Sequence, residues 1–327
     1  MSKVFITGGS GFVGAHVVRA YIDAGAKVTV FGTSPKPCLT ASDLSHISFH
    51  EGDITNYNDI DQALAKTRPD VVVGLAAYGE TGQGLLASAA ADQISALKVN
   101  VGGFHNLLTA CSRKNVQRVF WASTLAVFGR ATLYPNGTAY DDSDRRPETF
   151  YGLTKVLAED IARFFRETEG LTLTGLRLPL IFGPGLWYQG VASKIKLLFE
   201  AAAKNEATEV EAPAETVDLM YVKDAARAFL HLTNHTGQLD LIYNLTAYSS
   251  TAAAFAEIIE EIRPGSKLRV KPISSKIDYP TANGEKFRTS TGFAHKFDLR
   301  TACEDYINDM TKGQVVGVNE SCPAIAK

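Results

Sequence analysis

Tyr151 and Lys155 stand four residues apart in YGLTK, heading a stretch in which Val156, Leu157, Ile161, Ala162 and Phe165 recur at helical spacing. Four residues is about one helical turn, so the phenol and the ammonium share a face. An ammonium beside a phenol favours the phenolate. This predicts a tyrosine pKa lowered from about 10 toward neutrality, as general acid/base work requires. Two hydroxyls belong to the same neighbourhood: the apolar run Arg118 to Ser123 reads as a strand ending in Ser123 and Thr124 before LAVFG. Ligands of open α/β sheets bind outside the carboxyl ends of the strands, where those hydroxyls would lie.

A second constellation opens the chain. KVFITGGSGFVG, from Lys3 to Gly14, runs from a short apolar strand through a glycine-spaced turn into a helix whose apolar face carries Val13, Val17, Val18 and Tyr21. Gly8 suits a sharp turn, Gly11 the close approach of a pyrophosphate, and Gly14 close packing of the helix on the sheet. Gly8, Ser10, Gly11, Phe12 and Val13 form a candidate dinucleotide cradle at a helix N-terminus.

The elements that must position these groups alternate from the start to about residue 180. Candidate strands at Lys3 to Thr7, Lys27 to Phe31, Ile47 to Glu51, Val71 to Leu75, Arg118 to Ser123 and Thr172 to Leu178 are separated by amphipathic stretches such as Ile60 to Thr67 and Gly103 to Lys114. That rhythm predicts an α/β fold, a doubly wound parallel sheet of Rossmann type. Residues 1–178 read as the dinucleotide-binding domain, with 216–245 returning to it. Past Pro179 the pattern breaks at Gly183, Pro184 and Gly185, so 179–312 read as a smaller substrate-binding region and 313–327 as a loose tail.

Composition narrows the function class. The chain has 327 residues, 45% hydrophobic, with a formal net charge of -2 and its charges mixed along the sequence, which argues against a nucleic-acid partner. No leader pattern or membrane-length apolar stretch is visible, and Cys38, Cys111, Cys303 and Cys322 form no CxxC pair, so a cytoplasmic protein with reduced thiols is expected. His231 and His235 have metal-compatible spacing but no third ligand nearby. They read as exposed helix surface, and no metal is expected.

Taken together, the ordered motifs resemble those of the extended short-chain dehydrogenase/reductases, the branch holding nucleotide-sugar epimerases and dehydratases and several sugar, threonine and steroid dehydrogenases. TGGSGFVG, GDI at Gly52 to Ile54, LAA at Leu75 to Ala77, NVGGFHNLL from Asn100, STLAVFG, YGLTK, RLPLIFGPG and DLMYVKDAARA occur in the family's order over about residues 3 to 245. The resemblance implies hydride transfer at a nicotinamide, with Tyr151 as general acid/base. Lys155 would hold the nicotinamide ribose, and Thr124 would bond the reacting oxygen. It also places Asp53, Ile54, Leu75, Ala76, Ala77, Ser123 and Pro179 near the cofactor. Asn100 reads equally as a cofactor neighbour or as a helix residue bonded to backbone. A homodimer built on the helices bearing Asn100 and Tyr151 is implied as well.

NAD sites place an acidic residue at the end of the second strand, but here that position is Gly32, followed by Thr33, Ser34, Pro35 and Lys36. Hydroxyls and an ammonium suit a 2′-phosphate, so NADP is favoured and NAD remains the alternative. Nucleotide-sugar enzymes of the family carry an asparagine where this chain has Leu180, and an arginine where it has Val217. Glu209, Glu211 and Glu215 would further oppose a diphosphate. A small non-nucleotide alcohol or ketone is the expected substrate, with an epimerase or dehydratase that retains NAD as the alternative. Tyr78, Glu80, Gln83, Trp187, Tyr188 and Gln189 are candidates to line its pocket.

Overall fold

The computed structural model describes residues 2–35, 38–79, 82–275 and 277–312. Lys36, Glu80, Cys322 and the predicted tail 313–327 therefore lie outside the described residues.

Seven parallel strands make the large sheet: β1 (Lys3–Thr7), β2 (Lys27–Gly32), β3 (Ile47–Glu51), β4 (Val71–Gly74), β5 (Arg118–Thr124), β6 (Thr172–Leu178) and β7 (Ile242–Asn244), in the order β7-β6-β5-β4-β1-β2-β3. This is the doubly wound order, and the strand order reverses between β1 and β4, where a crevice opens at the carboxyl ends. The strands read as unbroken apolar runs because both faces are covered. Alternate residues divide between two cores: Val4 and Ile6 enter one with Val28, Val30, Val71 and Val73, whereas Phe5 enters the other with Phe31, Val72 and Trp121. Helix α1 (Phe12–Asp23) packs into the first core. Helices α2 (Tyr57–Thr67), α3 (Phe104–Arg113) and α4 (Phe150–Thr168) pack into the second.

Past Pro179 the chain leaves the large sheet. Leu180–Phe182 forms a three-stranded sheet with Val217–Tyr221 and Tyr248–Ser250. The segment from Asp218 to Val222, expected to rejoin the large sheet, belongs to this small one instead. Its Tyr221 is fully buried against Phe182 at 5.4 Å and Phe297 at 5.1 Å, and the edge beside β6 is filled by β7. Helix α5 (Val222–Asn234) packs on α1, and β7 pairs with β6. Helices Val191–Lys204, Ala252–Ile262 and Leu299–Thr311 complete the later part, and their Leu198, Phe199, Phe255 and Tyr306 belong to the same core as Val4 and Ile6.

One polar contact joins the two parts next to the cleft. His16 on α1, only 8% exposed, meets the Pro184 carbonyl through Nε2 at 2.8 Å; a carbonyl only accepts, so Nε2 carries the proton. Burial, with the Arg19 and Lys223 charges behind it, pushes His16 down to about 4 from 6.5. A histidine neutral when folded must bind a proton on unfolding, so its contribution to stability is complete above pH 6.5 and is lost as the pH falls toward 4. His16→Gln should therefore blunt the acid loss of stability between pH 6.5 and 4 by up to about 3 kcal/mol, measured by urea denaturation at each pH. A variant whose curve runs parallel to the wild type would refute this assignment.

Candidate active site

The glycine turn between β1 and α1 has little room in it. Gly8 adopts φ +70, and a Cβ there would sit 2.6 Å from Ala76 N; one on Gly14 would sit 2.1 Å from Gly8 O. No side chain caps α1, which starts after Gly11, and no acidic residue occupies its first turn. The N–H groups at its start are left for an anion, as a pyrophosphate requires. Beside the turn, Thr7, Ile54, Ala76, Asn100, Trp121, Ala122 and Lys155 line one cavity, in which the buried Thr7 Oγ1 and Trp121 Nε1 have no hydrogen-bond partner. That cavity has room for about one water, so the fit to a dinucleotide rests on the uncapped helix start at the glycine turn.

Thr149 caps α4 by accepting from Gly152 N at 3.1 Å, which places Tyr151 in the first turn and Lys155 one turn later. Tyr151 is 6% exposed, and its phenol has no hydrogen-bond partner among the described residues. Lys155 Nζ lies 5.8 Å from the Tyr151 ring centroid and donates to Ala122 O at 2.9 Å. The lowered phenol pKa expected from the spacing is not what this structure gives. Burial, reinforced by Tyr188, pushes Tyr151 up, and burial pushes Lys155 down to about 8 while Glu159 opposes that fall. Desolvation exceeds the pairing because Lys155 is engaged with a strand carbonyl and is itself short of solvent. The phenol is thus held in the form that donates a proton.

Thr124 Oγ1 accepts from Ala126 N at 3.2 Å, which leaves its own proton for a neighbour. Ser123 behaves differently: 2% exposed, it donates to Glu159 Oε1 at 2.7 Å, so its hydroxyl points into the core instead of serving the expected cofactor contact. Asn100 bonds one backbone group and one side chain. It accepts from Tyr78 N at 2.7 Å and donates to Thr154 Oγ1 at 3.0 Å, tying the loop after β4 to α4, while still lining the cavity. Asp53, exposed, accepts from Thr55 N at 2.8 Å; Leu75 N bonds Thr7 O at 3.0 Å, so the chain from Leu75 through Ala77 leaves the sheet beside the glycine turn. Gly32 ends β2 at the far side of the crevice, with Thr33 and Ser34 just beyond. Pro179 is buried where β6 ends.

The residues expected to contact substrate meet at this end of the cleft. Tyr78, Leu85, Ala126 and Phe150 pack around Tyr151. Tyr188 packs edge-on to Phe12 of the glycine turn at 6.3 Å and to Trp187 at 5.8 Å, and Trp187 is 36% exposed. A bridge between Gln83 and Gln189, with Gln189 N donating to Gly82 O at 3.0 Å, joins the two loops. Leu180 pairs with Leu219, and Val217 with Ser250. All three acidic residues are exposed, Glu211 bonding Lys271 at 2.7 Å, and Glu215 also borders a small pocket with Val217, Ile195, Pro213 and Ala252. The sequence reading missed Glu159 and Arg177, although Glu159 continues the four-residue stripe of Tyr151 and Lys155.

His231 and His235 are half-buried, and His231 Nε2 is bonded to Thr291 O at 2.9 Å, so the pair is not bare helix surface. Cys38, Cys111 and Cys303 are buried, and Cys38 Sγ donates to Gly185 O at 3.6 Å. No helix among the described residues is long and apolar enough to cross a membrane.

Known proteins place these features. The sequence profile of the NAD dependent epimerase/dehydratase family matches residues 4–256. An uncharacterised epimerase/dehydratase of Staphylococcus saprophyticus is 26% identical over 312 residues, covering 91% of this chain and 94% of that protein. UDP-glucuronate 4-epimerase 3 of Arabidopsis thaliana is 33% identical over 193 residues, covering 56% of this chain and 43% of that one. Among solved structures, the UDP-glucose 4-epimerase of Thermus thermophilus in complex with NAD has a TM-score of 0.80 at 23% identity, covering 96% of this chain and 100% of that one. The GalE-like L-threonine dehydrogenase of Cupriavidus necator has a TM-score of 0.82 at 21% identity, covering 94% and 99%. With its parallel seven-stranded sheet, glycine turn and Tyr151–Lys155 pair, the chain belongs to the NAD dependent epimerase/dehydratase family, within the extended short-chain dehydrogenase/reductases.

Proposed function

We propose that this protein is an NAD(P)-dependent dehydrogenase or reductase acting on a secondary alcohol or ketone of a small non-nucleotide substrate. The observation that carries the reading is a buried phenol, Tyr151, with no hydrogen-bond partner among the described residues, set between Lys155 and an aromatic pocket. A bound nicotinamide supplies the hydride acceptor or donor. Tyr151 exchanges the proton of the substrate oxygen, and Thr124 gives that oxygen a second hydrogen bond. Lys155 holds a positive charge beneath the phenol and stabilises the phenolate left after donation. The glycine turn with Ser10, Phe12 and Val13 holds the pyrophosphate, and Asp53 and Ile54 flank the adenine. Two features speak against a nucleotide sugar: the apolar surroundings of Tyr151, and Leu180 and Val217 in place of polar anchors. The scattered cysteines, with no CxxC pair, fit a reducing cytoplasm.

A second reading, a nucleotide-sugar epimerase that retains NAD, is favoured by the activities named for the Arabidopsis and Thermus relatives. The two separate on purification, since a dinucleotide that survives gel filtration belongs to the epimerase. For the dehydrogenase, a panel of secondary alcohols and ketones followed by nicotinamide absorbance should give turnover with free cofactor. Tyr151→Phe should then lower kcat by about 10³-fold with cofactor affinity unchanged. Turnover that survives the substitution would overturn the proton-transfer assignment.

NADP is the favoured cofactor because no carboxylate follows β2 at Gly32, Thr33 and Ser34. A Cβ on Gly32 meets nothing within 4 Å, so Gly32→Asp fits. That variant should raise the KM for NADP by about 10-fold or more while leaving NAD use intact, through repulsion of the 2′-phosphate. A wild-type enzyme that already prefers NAD would refute the assignment.

A homodimer is part of the same proposal. Leu153, Leu157 and Phe164 form an exposed stripe on α4, and Ile94, 67% exposed, and Leu97 lie on the neighbouring helix Gln93–Leu97. A second copy of this face would cover them. Light scattering should give twice the chain mass, and Leu157→Glu with Phe164→Glu should give the monomer; a monomeric wild type would disprove it.

A further inference from the structure

Glu159 lies one helical turn beyond Lys155, as Lys155 lies one turn beyond Tyr151. Its side chain is 2% exposed and accepts four hydrogen bonds: from Ser123 Oγ at 2.7 Å and Arg177 Nε at 2.8 Å on Oε1, and from Arg177 Nη2 at 2.7 Å and Arg145 Nη1 at 3.3 Å on Oε2. Arg177 is equally buried. It also donates to Asp141 O at 2.9 Å and Asn244 Oδ1 at 3.3 Å, and lies 4.9 Å over the Phe128 ring.

Stability alone gives little reason for such a group, because a buried ion pair is commonly no better for stability than apolar side chains of the same volume. Its position gives a reason. Lys155 grips Ala122 O and Glu159 grips Ser123 Oγ, so α4 holds two consecutive residues of β5, and the next residue is Thr124. At the other end of the contact Gly152 comes so near Ala126 that a Cβ would lie 2.1 Å from its carbonyl oxygen. The helix bearing Tyr151 is thereby fixed in register along the strand end bearing Thr124, and Arg177 anchors that junction to β6 and to the end of β7.

We propose that Glu159 is a positioning residue for the reaction: its carboxylate locks the Tyr151–Lys155 face of α4 against the strand end that presents Thr124, and supplies the negative charge behind the Lys155 ammonium. The proposal rests on the reading of Tyr151, Lys155 and Thr124 as the reacting groups. The groups facing Lys155 are Tyr151 and Glu159 on its own helix, with Arg177 on β6 and Arg145 before the helix held behind Glu159. Removal of Glu159 together with Arg177 leaves the lysine without its nearest anion, and its affinity for a proton should fall.

Glu159→Gln leaves the buried Arg177 guanidinium without its carboxylate and is expected to fold poorly, so the informative protein is the full chain with Glu159→Leu and Arg177→Met together, compared with Glu159→Asp. Thermal unfolding establishes that each variant folds. NMR titration of ¹³C-labelled lysine, with the Lys155 signal assigned through Lys155→Met, should show Lys155 losing its proton at lower pH in the double variant than in the wild type. In steady-state assays kcat should fall about 10²-fold with KM changed far less, as expected for misplaced reacting groups, and Glu159→Asp should restore part of it. A folded double variant with the wild-type lysine titration and wild-type kcat would overturn the proposal. The titration needs no substrate, so it stands apart from the Tyr151→Phe assay on which the functional reading depends.

Discussion

An ammonium group out of water is costly, and the catalytic end of this fold is organised around one. Lys155 is 6% exposed, and its burial is tolerable only because Ala122 offers a carbonyl and Glu159 a nearby negative charge. Both depend on α4 lying close along the end of β5. That closeness in turn needs a glycine at position 152, a cap at Thr149 to start the helix before Tyr151, and an arginine on β6 to balance the carboxylate. The chemistry assigned to Tyr151 therefore depends on packing between a helix and three strands, and cannot be ascribed to two side chains alone.

The cleft has a second wall, contributed by the later part of the chain, and the two walls share one core. Phe12 of the glycine turn touches Tyr188, His16 holds Pro184, and Cys38 Sγ lies 3.6 Å from Gly185 O, so the loop from Gly183 to Tyr188 is tied to α1 and the segment after β2 at three points. Tyr188 in turn adds to the conditions that keep the Tyr151 phenol protonated. Cradle, acid and pocket wall are thus coupled through contacts of a few ångströms. A rearrangement of the loop would alter the shape of the pocket and how deeply Tyr151 is buried.

Most of the fold was legible in the sequence because its signals are local. An unbroken Val-Phe-Ile run before a glycine-spaced turn admits few structures, and six of the seven large-sheet strands stand close to where their apolar runs place them. The seventh, β7, is three residues long and carries no pattern of its own. Its neighbour Val217–Tyr221 has the stronger strand signal but is drawn into the small sheet by aromatic packing around Tyr221. The same distinction holds in the site. Tyr151, Lys155 and the glycine turn could be read from spacing. The inward turn of Ser123 could not, because it depends on Glu159 and on Arg177, distant in sequence. The reversal in the Tyr151 pKa was hidden for a related reason: spacing reveals a neighbouring charge but not how much water remains around it.

Substrate identity is the least local property of all. The surfaces near Tyr151 come from the loop after β4, the turn after β5 and the segment around Trp187, three stretches with no common pattern in sequence. What they share is chemical: aromatic and aliphatic faces, with Lys155 the one cation placed against the Tyr151 ring among the described residues. A site of that kind discriminates poorly by charge and well by the hydrogen bonding of one oxygen, since an alcohol or ketone correctly placed meets both a phenol and the Thr124 hydroxyl, whereas a misplaced one leaves them unpaired in an apolar surround.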